Sequence, residues 1–265
     1  AALFAAAKGQ PNVIEYLLLE VKVDIESTFE TPSKRSLFHV AAEHNHGNVI
    51  SKLAHCCNVI NTAASVNLVD AQTKYHETAL EVAADFGHLE AVHALLTEAN
   101  AKVDIGRRGP LAVAAGTHSS KSLEIVRALV EVGGASINGF LDGDGSWPLY
   151  NATNKRLVPI MQYLLAAKAN VNQRDSSGGT PLLLAVRKKT VSSVNLLLKH
   201  KADINAQNKI GETSLYIACR MGTASIVRTL LWEGNAAVDT SSGPKQFSPM
   251  CVAAWECNVG VVKVL

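Results

Sequence analysis

Thr180-Pro-Leu-Leu-Leu-Ala-Val, Thr213-Ser-Leu-Tyr-Ile-Ala-Cys and Ser248-Pro-Met-Cys-Val-Ala-Ala decide how this chain folds. The three stretches align without gaps, and their first residues lie 33 and 35 positions apart. Toward the N-terminus the pattern returns at Trp147-Pro-Leu-Tyr-Asn-Ala, Gly109-Pro-Leu-Ala-Val-Ala-Ala, Thr78-Ala-Leu-Glu-Val-Ala-Ala and Ser36-Leu-Phe-His-Val-Ala-Ala. Self-similarity at such a period marks a repeat architecture, in which no unit can bury its own apolar face and neighbours must stack.

Each unit carries a second motif. Gly87-His-Leu-Glu-Ala-Val-His-Ala-Leu-Leu, Leu123-Glu-Ile-Val-Arg-Ala-Leu-Val and Val158-Pro-Ile-Met-Gln-Tyr-Leu-Leu occupy one slot, and Gly9-Gln-Pro-Asn-Val-Ile-Glu-Tyr-Leu-Leu fits it too. Thr or Ser ahead of the first motif can cap a helix, and Pro at the first helical position costs nothing because that N–H has no partner there. The small Ala-Ala pair lets a short helix approach its neighbours. The Leu/Ile/Val stripe of the second motif, at helical spacing, fills the layer between units. Gly, Asn and Asp then supply connecting turns, as at Asp175-Ser-Ser-Gly178 and Asp142-Gly-Asp-Gly145.

These motifs resemble the ankyrin signature, a Thr-Pro-Leu-His-x-Ala-Ala opening on a period of about 33 residues. The resemblance covers essentially the whole chain. It implies an all-α fold, an ankyrin-repeat solenoid of stacked helix-turn-helix units with β-hairpin-like fingers. One domain, 1–265, divides into repeats near 1–34, 35–76, 77–107, 108–145, 146–178, 179–211, 212–246 and 247–265. The first and last are truncated, and neither end has a polar capping repeat, so a fragment of a longer array is expected. The signature His survives only as His39; Glu81, Ala112, Tyr150, Leu183, Tyr216 and Cys251 replace it. The inter-repeat hydrogen bonding which that His supplies in the family is therefore in doubt.

Three places depart from the regular unit. Between Asn61 and Thr78 lie 16 residues, against 7 between Asn205 and Thr213. Thr62–Glu77 thus holds an insert, expected as a tolerated surface loop, with a recognition loop as the alternative. The connection Asp104-Ile-Gly-Arg-Arg-Gly109 is too short for a full finger. Gly116–Ser122 lengthens the turn between paired helices and is expected to loosen it.

Apolar residues make up 48% of the chain and aromatic residues only 5%, which suits many thin helices better than one bulky core. No run is long enough to span a membrane and no signal peptide opens the chain. Five scattered cysteines without a CxxC pair fit a reducing compartment, with cytoplasm as the default and the nucleus as the other option. Residues 1–105 hold 7 Lys+Arg against 13 Asp+Glu, and residues 106–265 hold 18 against 10. The acidic and basic ends bear on partners rather than on fold.

Ankyrin proteins generally bind partners along a concave groove, with finger tips and the exposed residues of each first helix. Carried over by position, the groove takes Glu43, His44, Asp85, Phe86, Asn154, Lys155, Arg187, Lys188, Arg220, Met221, Trp255 and Glu256 from the helices. The fingers add Arg107, Arg108, Arg174, Ser176, Ser177, Lys209, Ile210, Glu212 and Phe247. Any one of these charges is ordinarily just a solvated side chain. Their clustering favours a basic C-terminal half that receives an acidic, phosphorylated or extended segment of another protein, with Arg making bidentate contacts. Met221, Phe247 and Trp255 would be apolar anchors. Charge reversal at Arg187, Lys188 and Arg220 is the natural test.

No phosphate loop, dinucleotide turn, zincin helix or nucleophile elbow is present, so no catalytic residue, cofactor or small-molecule substrate is assigned. Asp142-Gly-Asp-Gly-Ser hints at a calcium loop, but its last ligand position falls on Thr153. His44, His46, His55, Cys56 and Cys57 match no zinc spacing. Asn151-Ala-Thr153 is a glycosylation sequon by letter only, within an expected helix. Family members are substrates of an asparaginyl hydroxylase; Leu197 ahead of Asp203-Ile-Asn205 resembles its target, as does Leu164 ahead of Asn170-Val-Asn172 more loosely. Asn205 and Asn172 equally serve as turn residues.

The leading functional expectation is a non-catalytic scaffold or adaptor. The alternative is a targeting or regulatory segment of a larger enzyme, ubiquitin-ligase adaptor or membrane channel. Nucleic-acid binding ranks third, because aromatics interleaved with Lys and Arg are missing.

Overall fold

The structure, a computed structural model, describes residues 1–23, 33–60, 68–139, 147–239, 241–243 and 246–265. The chain divides into two compact units, Ala1–Asp142 and Gly143–Leu265. Each is a stack of helix pairs. In the first unit the pairs are α1 (Ala2–Ala7) with α2 (Pro11–Glu15, continued as one π-helical stretch Tyr16–Glu20), α3 (Leu37–Glu43) with α4 (Gly47–Ile60), α5 (Ala79–Phe86) with α6 (Leu89–Thr97), and α7 (Pro110–Gly116) with α8 (Ser122–Glu131). In the second they are α9 (Pro148–Asn154) with α10 (Val158–Ala166), α11 (Pro181–Arg187) with α12 (Val191–Lys199), α13 (Ser214–Arg220) with α14 (Ala224–Trp232), and α15 (Pro249–Trp255) with α16 (Val259–Val262). Within each unit, first helices pack on first helices and second helices on second helices. Among the described residues the β-bridge between Ser242 and Phe247 is isolated, and no strand forms.

The caps read from the sequence are made. The hydroxyls of Thr78, Thr180, Thr213 and Ser248 accept from the backbone N–H three residues on. Each such cap contributes about 1 kcal/mol. The Ala pairs lie in the core: Ala41, Ala42, Ala83 and Ala84 are fully buried. Leu53, Leu95, Leu129, Leu164, Leu197 and Leu230 fill the second-helix layer.

Inter-repeat hydrogen bonds recur at three heights. At the finger base, Asp70, Asp104, Asn172 and Asn205 each accept, through Oδ1, a backbone N–H of the following unit: Lys102, Ser136, Asp203 and Ala237, at 2.8–3.2 Å. At the turn between paired helices, His46, His88 and Asn258 bond a carbonyl at the end of the preceding first helix, Ala7, Ala42 and Cys219. The third height is the signature-His slot, and here the sequence expectation needs correction. Inter-repeat bonding is made there by His39 and, without the His, by Glu81 and Tyr150. His39 Nε2 donates to the Glu77 carbonyl (3.0 Å) while Nδ1 accepts from Ser36. Burial holds its pKa down at about 4, so the ring is neutral and this tautomer satisfies both nitrogens. Tyr150 hydrogen-bonds Asp175 of the next finger.

Glu81 does more. Its carboxylate, on a residue 2% exposed, accepts the N–H groups of Thr78 (3.0 Å), Arg107 (3.1 Å), Arg108 (2.7 Å) and Gly109 (2.8 Å). This is how the short connection 104–109 dispenses with a finger: a side chain of the preceding helix supplies the acceptors. Gly106 adopts φ +107°, and a Cβ there would lie 2.2 Å from the Glu81 carboxylate.

One further expectation changes. The long turn Gly116–Ser122 is tied rather than loosened: Ser122, 3% exposed, donates to the Thr117 carbonyl (2.7 Å) and accepts from Ser119 N–H (3.0 Å). Within the insert Thr62–Glu77, residues 62–67 lie outside the described residues. The remainder buries Leu68 and Val69 and closes a finger in which the Thr73 hydroxyl accepts from the Tyr75 and Glu77 N–H groups. The Asp142–Gly145 turn lies outside the described residues. Thr153, the last position of that calcium-loop reading, donates its hydroxyl to the Leu149 carbonyl (2.7 Å) inside α9, which also contains Asn151.

Candidate protein-binding face

The assigned groove positions fall where each first helix ends and where each finger turns. Lys155, Lys188, Met221 and Glu256 are the C-cap residues of α9, α11, α13 and α15, and His44 caps α3. A cation at a helix C-terminus is favoured by the helix dipole, which gives Lys155 and Lys188 a structural reason to be there. Arg187, Arg220 and Trp255 are the last helical residues of α11, α13 and α15, at matching positions in three successive repeats.

In the first unit the acidic positions are matched by bases. Glu43 pairs with Arg35 at 2.8 Å and Asp85 with Arg108 at 3.2 Å. Both carboxylates that the sequence reading placed in the groove are thus ion-paired within the unit. Phe86 is 55% exposed and stacks on His88. Arg107 is exposed, its backbone N–H held by Glu81. Tyr75 at the tip of the preceding finger is 56% exposed with Lys74 over its ring. The insert hid its finger position from the repeat count.

In the second unit two acids, Asp175 and Glu212, are held by internal hydrogen bonds, while Glu256 at the end of α15 is exposed. Asp175 accepts from Ser177 N–H, Ser177 hydroxyl and Gly179 N–H at 2.6–2.8 Å, and from Tyr150. Burial opposes its charge, but those hydrogen bonds outweigh burial and hold the carboxyl below its usual range. Glu212, placed in the groove by sequence position, is 1% exposed. Its Oε2 accepts from Arg187 Nη2 (2.9 Å) and Asn208 Nδ2 (2.9 Å), and its Oε1 from Arg220 Nη1. Burial again works against the charge, and Asn208 with the two arginines overcomes it. Asn208, which the sequence reading passed over, also accepts the Glu212 N–H.

The cations remain outside. Arg187 and Arg220 side chains keep 41% and 39% of their surface, and the Arg220 guanidinium lies 5.8 Å from the Tyr216 ring centroid. Lys155 and Lys209 are exposed and Lys188 half-buried, none with an ion-pair partner among the described residues. Arg174 instead braces its finger to the next, donating to the Gln207 and Gly178 carbonyls. Trp255 is 66% exposed with its ring 6.0 Å from Phe247. Met221 is half-buried. Counted by unit, the first holds 11 Lys+Arg against 16 Asp+Glu and the second 14 against 7. Buried Cys57 and Cys219 thiols are pushed up to about 11 and about 12, and no three His, Cys, Asp or Glu side chains converge on one point among the described residues.

Stacked helix pairs joined by turns, with a charged face along the first-helix ends, define a repeat array of the protein-binding class. The model for ankyrin repeats in three copies matches residues 2–108, 111–208 and 189–265, and the chain belongs to the ankyrin repeat family. Among solved structures it is similar to the ankyrin repeat domain of Bcl-3, a unique member of the IkappaB protein family. The two share 26% identity and a TM-score of 0.73 over 86% of this chain and 96% of that one. No curated protein matches the chain by sequence. Ankyrin repeat domains are typically non-catalytic modules that bind other proteins. No described helix is long and apolar enough to cross a membrane.

Proposed function

We propose that this chain is a protein-interaction scaffold whose second unit receives an acidic or phosphorylated segment along its first-helix ends and fingers. The observation that carries the reading is the sorting of charge. Asp175 and Glu212 are consumed by internal hydrogen bonds, while Lys155, Lys188, Lys209 and the outer faces of Arg187 and Arg220 stay in solvent. Such a face attracts an anionic chain at long range, and Trp255 beside it offers a flat apolar contact. The likeness to Bcl-3, a member of the IkappaB family, supports a binding role and leaves the partner open.

The buried Glu212 changes the choice of test. Reversing Arg187 and Arg220 would strip a buried carboxylate of both cations and destabilise the fold, confounding any loss of binding. Lys155→Glu/Lys188→Glu/Lys209→Glu touches only cations without ion-pair partners among the described residues. In affinity capture from cell lysate with mass spectrometry, this variant should lose the partners held by the wild type while keeping its helical content, at a stability cost of about 1–2 kcal/mol from the two acidic side chains placed at helix C-termini. An unchanged partner list contradicts the proposal. Asn172 and Asn205 hydroxylation belongs to the same reading as a modification of the finger base, and intact mass after treatment with an asparaginyl hydroxylase would gain oxygen.

A further inference from the structure

We infer that Arg187 and Arg220 form a clamp for a single phosphorylated side chain, with Glu212 as the residue that positions both guanidinium groups. The inference rests on the proposed reading of the second unit and narrows its ligand from any acidic segment to a phosphomonoester.

One carboxylate gathers two arginines from successive first helices, one on each oxygen. Glu212 is 1% exposed and is itself fixed by Asn208, whose side chain bonds both its carboxylate and its N–H. The two guanidinium groups are therefore drawn to a common point by a partner that cannot move away. An arginine on an exposed helix end ordinarily samples many rotamers, and immobilising it on binding costs about 0.5–1.5 kcal/mol. Here much of that ordering is already present before any ligand arrives. Tyr216 lies against the Arg220 guanidinium and limits it further.

Glu212 neutralises one of the two charges, leaving one, with Lys188 next to Arg187 in sequence and Lys209 on the adjoining finger. A glutamate side chain would offer the pair a single negative charge and two acceptor oxygens in one plane. A phosphomonoester carries close to two charges and three acceptor oxygens in a tetrahedron, and can accept from two arginines at once. The chemistry of the pair fits the phosphate better than the carboxylate. Trp255 occupies the matching position one repeat further on, where a residue flanking the phosphate would meet it.

The role of Glu212 has a consequence of opposite sign to simple electrostatics. Glu212→Gln adds one unit of positive charge to the face, which by charge alone would tighten anion binding. If Glu212 positions the arginines, the same change weakens it.

Three degenerate nonapeptide pools, identical except for a central phosphoserine, glutamate or serine, provide the probe, with binding to the whole chain read by fluorescence anisotropy. The phosphoserine pool should bind about tenfold or more tightly than the glutamate pool, and the serine pool least. Arg187→Lys/Arg220→Lys, which keeps both charges but loses the fork geometry, should abolish the preference for phosphoserine over glutamate. Glu212→Gln should weaken phosphoserine binding several-fold at unchanged helical content. Equal binding of the two anionic pools, with both still lost in the Lys155/Lys188/Lys209 variant, overturns the clamp while the broader reading stands. Tighter binding by Glu212→Gln overturns the positioning role, and no binding of either anionic pool overturns the broader reading as well.

Discussion

His39, Glu81 and Tyr150 stand at equivalent positions, and each ties its repeat to the next by different chemistry. The histidine is a neutral relay between the Ser36 cap and the Glu77 carbonyl. The glutamate is an acceptor for three consecutive N–H groups of a connection too short to fold back on itself. Where the slot carries a polar side chain that reaches the following turn, the turn decides whether a donor or an acceptor is needed; Ala112 and Leu183 in the same slot have no polar side chain to make such a tie. Glu81→Gln keeps the shape but replaces one acceptor oxygen with a donor aimed at backbone N–H groups. It should cost about 2–3 kcal/mol and remove hydrogen-exchange protection from the amides of Arg107, Arg108 and Gly109 before those of α7. Retained protection at these three amides would show that the connection holds its form without the carboxylate.

At the scale of the element, the periodicity revealed helix pairs, caps and core stripes because each rests on local chemistry: hydroxyl caps, Pro at the first turn, small residues at close contact. The ties between elements were less legible. Ser122 closing its turn, and Asn208 with Glu212 locking two arginines from successive first helices, depend on which side chains the folded turns bring together, which the repeat period alone does not reveal. Glu212 looked like a groove residue because its finger position is exposed in a generic repeat; here two cations and an amide draw it inside. The C-terminal turn of α14 shows the same dependence on a neighbour. A Cβ at Gly234 would lie 1.9 Å from Ile204 Cδ1 of the preceding finger. Gly234→Ala should cost about 1–3 kcal/mol by overpacking. Ile204→Ala should absorb most of that cost in a double-mutant cycle followed by urea unfolding, whereas additive losses would place the strain elsewhere.

At the scale of the whole molecule, two units of opposite net charge, each a stack of helix pairs, account for a chain whose formal charge is only +2. The charge asymmetry was plain in the sequence. What the sequence could not supply was which charges are spent internally: Asp175 and Glu212 in the second unit, Glu43 and Asp85 in the first. The central claim is that recognition of an anionic segment takes place on the first-helix ends and fingers of the second unit. Hydrogen-exchange mass spectrometry of the whole chain, with and without the phosphoserine peptide pool, tests it most directly. The account predicts slowed exchange in the finger spanning residues 203–212 and at the ends of α11 and α13, weakening as salt is raised. Protection confined to α10, α12 and α14, or to residues 1–142, would contradict it.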